Sequence, residues 1–250
     1  MENTMDKASV ESQLGTAALN VTDTEEIMKL RDRCDLKSRT ELANALFAQF
    51  RYKEAADILS EAASVGEVDK DLYLKIGGAY LTAREFDKSM EAHKKYLELG
   101  GSVKTAAYPM GIWYFMNKEY ETAADSFAKC VPCDDEMMIC VVYWHCLSML
   151  RAGGELEFLK YYRPDMEVGH HTAYRLVVRV LAGEITQDAA TEELKAEKDV
   201  LNYCIAGYGL YCIKKAEGEP VEELLDSILD KKDLWPCIAY LTAWNDRNGL

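Results

Sequence analysis

With 250 residues of which 49% are hydrophobic, the chain can bury a substantial core, yet it holds no run of ~18 apolar residues able to cross a bilayer. A formal net charge of -14, from 43 acidic and 29 basic side chains, opposes a polyphosphate partner; nucleic acid is excluded as an expected ligand, and neutral or cationic partners are easier to accommodate. Several of the eight cysteines fall at apolar helical positions, as Cys204 and Cys212 do, and residues 1–20 lack an apolar run of leader type. The expected setting is therefore cytoplasmic, with reduced thiols and no membrane anchor.

In chain order, residues 1–21 are polar and aperiodic and read as a flexible tail. Residues 22–35 read as a capping helix, with Thr22 and Glu25 in the form of a capping box, and Ser38 with Glu41 repeats that signature. Helical pairs are then predicted at about 37–49 and 52–64, 70–83 and 86–99, and 104–117 and 120–131, with Gly100 and Gly101 ending the second pair. Pro109 is expected to kink the first helix of the third pair or delay its start. Beyond Pro132 the predicted helices are 137–150, stopped by Gly153 and Gly154, then 155–162, 170–182, 186–195 capped by Thr186, 199–215, 220–230, and 234–247 capped by Asp233. They pair as degenerate hairpins over 138–250, the last acting as a C-terminal cap.

The three pairs share one register. Tyr52, Phe86 and Tyr120 stand 34 residues apart, and Leu46, Tyr80 and Tyr114 keep step six residues ahead of them. Small residues complete the pattern at Ala43, Gly77 and Gly111 and at Ala55, Ser89 and Ala123. An antiparallel pair needs a small side chain on each helix at the crossing and large ones beside it. Leu at Gly77 or Gly111 is accordingly expected to overpack the crossing.

This pattern resembles the tetratricopeptide repeat (TPR) family, with units at 36–69, 70–103 and 104–137; the stretch from Val178 to Leu210 looks like the divergent C-terminal hairpins of bacterial members. The resemblance implies an all-α fold, an α-solenoid of antiparallel helix pairs in a TPR-like superhelix. It also implies a scaffold or adaptor that binds protein segments in the concave groove lined by the first helix of each unit, without enzymatic activity. In members that clamp a chaperone's C-terminal carboxylate, Lys, Asn and Arg point into that groove; the matching positions here are Thr40, Asn44, Lys75, Thr105 and Pro109, of which only Asn44 agrees. The groove-facing positions are expected to be Asn44, Phe47, Leu74, Gly78, Leu81, Tyr108, Ile112, Phe115 and Met116. That surface is mostly apolar, so the expected ligand is an apolar or amphipathic peptide anchored by Phe47, Leu81, Tyr108 and Phe115. Two other occupants stay open: the chain's own terminus, either the N-terminal tail or the C-terminal helix with Trp235, Ile238, Leu241 and Trp244, or a second copy in a homo-oligomer.

No cofactor, metal or catalytic residue is assigned. Cys130 and Cys133, with Cys140, His145 and Cys146 downstream, come nearest to a zinc signature, but on a helix Cys140 and Cys146 point roughly 120° apart. His170 and His171 follow Gly169 at a predicted helix start, with no further His or Cys set beside them by the sequence. Gly207 and Gly209 read as small residues at a helix crossing, and Asp134, Asp135 and Glu136 as helix N-terminal charges. The nucleophile elbow, the phosphate loop and the His-Glu-x-x-His zinc helix do not occur.

Overall fold

Side-chain caps set where many of the helices begin. In the computed structural model, which describes residues 22–65 and 69–250, every regular element is helical: thirteen α-helices and two short 3-10 segments, with no strand among the described residues. The chain divides into two units, Met1–Ser102 and Val103–Leu250. The division falls between the second and third of the three 34-residue pairs.

The first unit contains α1 (Glu25–Arg31), α2 (Leu36–Ala48), α3 (Tyr52–Val65), α4 (Lys70–Thr82) and α5 (Phe86–Glu98), each packed on the next. The Thr24 hydroxyl caps α1 by accepting from the Ile27 N–H, and the Asp35 carboxylate caps α2 by accepting from the Ser38 N–H at 2.9 Å. The expected caps Thr22 and Ser38 are thus displaced. Asp23 is instead drawn into an ion-pair network with Arg31 and Arg51, which both also reach Glu54, while Ser38 is buried inside α2. That network ties α1 to the start of α3. Beneath it lie Ile27, Leu42, Leu46, Leu59 and Ile76, all within the first unit's core.

One chain turn recurs at the spacing of the sequence pattern. Phe50, Arg84 and Lys118 all adopt the left-handed conformation, with φ of 60°, 60° and 64°. After each, the N–H of Arg51, Glu85 and Glu119 donates across the helix end to the carbonyl of Leu46, Tyr80 and Tyr114, at 2.9 Å in all three. These are Schellman caps built without glycine. They end α2, α4 and α6 (Val103–Met116) and aim the next helix back along the one before.

The small residues of the register meet large partners. A Cβ at Gly77 would lie 2.6 Å from the His93 ring, and one at Gly111 2.7 Å from Phe127. His93 and Phe127 are again 34 residues apart, and Leu59 is the matching residue before them. Gly111→Leu is expected to cost about 1 to 3 kcal/mol through overpacking against Phe127, read as a lowered urea midpoint. A wild-type midpoint would show that this crossing is not tight.

The second unit runs α6, α7 (Tyr120–Ala128), α8 (Asp135–Ala152), a 3-10 segment at Glu157–Tyr161, α9 (Thr172–Leu181), α10 (Gln187–Ala196), α11 (Val200–Ala216), α12 (Glu222–Leu229), a second 3-10 turn at Lys232–Leu234, and α13 (Ile238–Asn248). Helix α8 is its axis, packing against α7, α9 and α11. It is capped by Asp134 and ended by Gly153 in the left-handed conformation, as its sequence predicts. Its Tyr143 is fully buried and donates its hydroxyl proton to the Ile205 carbonyl at 2.7 Å, while Gly209 lets α11 approach Tyr143 and Val177. Pro109 lies within α6, which continues through it. The last helix differs from its predicted bounds: α13 begins at Ile238, because Pro236 has no N–H to continue the ladder and Cys237 is extended at φ -63° and ψ 129°. Asp233 therefore sits in the 3-10 turn and not at a cap.

Candidate functional site

The expected groove residues fall into two groups with different surroundings. In the first unit, Asn44 is exposed on α2, and Phe47 and Leu74 are half-buried on α2 and α4. The Lys75 ammonium donates to Asn44 Oδ1 at 2.5 Å and stands 5.5 Å above the Phe47 ring. Phe47 also meets the Tyr52 ring at 5.5 Å, which fixes its plane against the core. Lys75 thereby gains an amide and an aromatic face, in a chain of net charge -14. Gly78 leaves open space where a side chain would stand, whereas Leu81, expected as an anchor in the open groove, is 4% exposed and is corrected to core.

In the second unit the corresponding helix is covered. Ile112, Phe115 and Met116 are 3%, 3% and 4% exposed. Phe115 packs edge-on against Tyr120, Trp144 and Tyr208, with centroids 5.3, 5.1 and 6.2 Å away. Asn245 of α13 donates to the Met116 carbonyl, and Lys118 donates to the Gly249 carbonyl at 3.1 Å. Tyr108 is half-buried, edge-on to Phe127 at 5.6 Å; burial raises its hydroxyl pKa well above the ordinary value, and Tyr174 and Cys140 add to the shift. The open apolar surface expected at Ile112, Phe115 and Met116 is thus corrected to core. The C-terminal residues that cover it lie more than 120 positions downstream, where a 34-residue period offers no contact information.

The cysteines do not assemble a metal centre. All eight are free thiols, five of them buried, and burial raises Cys130 to about 11 and Cys140, Cys146, Cys204 and Cys212 to about 12. The His145 ring stacks on Phe158 at 3.9 Å, and burial lowers its pKa to about 4. Among the described residues, the metal-compatible grouping of His, Cys, Asp or Glu is Glu136, His170 and His171.

No helix among the described residues is long and apolar enough to cross a membrane. The chain matches no protein-family model, and no curated protein matches it.

Proposed function

We propose that this chain is a TPR-like adaptor, an α-solenoid in kind, that holds an amphipathic protein segment on the α2–α4 face of its first unit. Phe47 and Leu74 supply the apolar contacts, and Asn44 with Lys75 supplies a polar lip suited to a carbonyl or carboxylate of the partner. The observation that carries this reading is the contrast between the halves: this face stays accessible, whereas Phe115 and Met116 are covered from within the chain. The left-handed turns at Phe50, Arg84 and Lys118 support the family resemblance, since each redirects a helix pair in the same way.

The reading involves no catalytic step and takes the chain to be cytoplasmic, which its free thiols support. Its test uses Phe47→Ala with Leu74→Ala in the full chain. Both side chains are only half-buried, so the fold should survive, while affinity for a captured partner should fall at least ~10-fold. Unchanged affinity in a protein of wild-type circular dichroism sinks the assignment of this face. A test at Phe115 is less clean, because a charge there would enter the core. The covering of α6 by α13 favours a second reading for that helix, in which the chain's own terminus fills the groove in cis; self-association through a second copy is the alternative to it. Light scattering that shows only monomer across the practical concentration range excludes self-association.

A further inference from the structure

Helix α8 and the loop before α9 bring a carboxylate together with two adjacent histidines that lie 34 and 35 residues further along the chain. Glu136 stands in the first turn of α8, and His170 and His171 lead into α9. One ligating atom from each, a carboxylate oxygen and two imidazole nitrogens, lies within 4.8 Å of the others. Among the described residues, none of the three side chains is engaged in a hydrogen bond or ion pair.

The loop is held in place by its own contacts. Asp135 accepts from both Arg163, at 2.9 Å, and the Glu167 N–H, at 3.2 Å, which ties the loop to the start of α8. Met166 and Val168 are buried beneath it, and the His171 N–H donates to the Val168 carbonyl at 2.9 Å. Gly169 adopts φ +52°, and a Cβ there would lie 2.5 Å from Glu136 Oε1. Glycine thus lets the carboxylate rest against the backbone just before the two histidines. The centroids of the two imidazole rings are 4.0 Å apart. A metal ion binds the neutral form of each imidazole.

We propose that Glu136, His170 and His171 form a binding site for a divalent transition-metal ion of the zinc class. Two imidazoles and a carboxylate are three of the four ligands of a tetrahedral zinc ion, and the fourth position is left to water or a partner's side chain. Such an ion, with ligands at about 2.1 Å, draws them to about 3.4 Å from one another. Their ligating atoms already lie within 4.8 Å of one another, and the side chains of Glu136 and His170 are exposed, with room to turn toward the ion. The site closes the loop onto α8 with a bond between elements that are otherwise joined there by Asp135.

The test is a titration of the metal-stripped full chain with Co(II) and Zn(II), followed by visible absorption and calorimetry. One equivalent should bind without a thiolate charge-transfer band. His170→Ala and His171→Ala should each weaken binding at least ~10-fold, and Glu136→Gln by several-fold, with helicity and melting of the metal-free variants unchanged. Cys34 is the exposed thiol, so Cys34→Ser serves as the control that leaves binding intact. Absence of saturable binding overturns the proposal. So does a thiolate band, or binding that persists at full strength in His170→Ala and His171→Ala.

Discussion

Replacing Arg151 by methionine is expected to destabilise the protein by about 3 to 5 kcal/mol, the largest effect of any single substitution considered. Arg151 sits at the end of α8 and donates to both oxygens of Asp246 on α13, at 2.6 and 2.7 Å, and to the Tyr120 hydroxyl at 2.7 Å. The Tyr208 hydroxyl donates to the same Asp246 carboxylate at 3.0 Å. The two charged side chains are only 12% and 7% exposed, so solvent cannot replace the guanidinium when it is removed. The loss comes chiefly from the carboxylate left behind. Arg151→Met together with Asp246→Leu should therefore recover most of it, because the stranded charge goes with its partner. Urea unfolding of the two single variants and the double variant gives the coupling directly. A loss below about 1 kcal/mol for Arg151→Met would show that water reaches Asp246.

Acid should destabilise the first unit through His93. The imidazole is fully buried, neither ring nitrogen has a hydrogen-bond partner, and burial lowers its pKa from 6.5 to about 4. The folded-state pKa thus lies below that of the unfolded chain. As pH falls through 6.5 the unfolded chain takes up a proton that the folded chain refuses, so stability is lost between about pH 6.5 and pH 4. The full difference corresponds to about 3 kcal/mol. His93→Leu should flatten this part of the profile and place at Gly77 the same residue type that Leu59 supplies near Ala43. His145, also held near 4 by burial, leaves a residual slope in the second unit. An unfolding free energy of the wild type that is constant from pH 7 to pH 4 contradicts this account.

Much of the helical plan was legible because it rests on local chemistry. The 34-residue register located the boundaries of α2 to α7 to within a residue or two at most ends, and the caps at Asp134 and Thr186 were readable from one oxygen placed before an apolar run. The errors also have local causes. Thr22 and Ser38 are as well suited to capping as Thr24 and Asp35, and only the ion pairs of Asp23 and the burial of Ser38 decide between them. The covering of Phe115 was not legible, because periodicity reports which face of a helix is apolar and not which distant segment packs on it. The same applies to Glu136 with His170 and His171. The sequence shows two adjacent histidines and a helix-start carboxylate; the Asp135 contacts to Arg163 and Glu167 and the conformation of Gly169 join them.

The division of the chain between Ser102 and Val103 also has a consequence in time. The core of the first unit consists of segments near one another in sequence, so it can form as soon as they have left the ribosome. Helix α6 must wait. Its Met116 carbonyl meets Asn245, 129 residues later, and Phe115 meets Tyr208. At roughly 5 to 20 residues per second, these C-terminal contacts are missing for on the order of ten seconds of synthesis. During that interval the nascent third helical pair presents the greasy face that the finished protein conceals, and a chaperone has its best opportunity to act there.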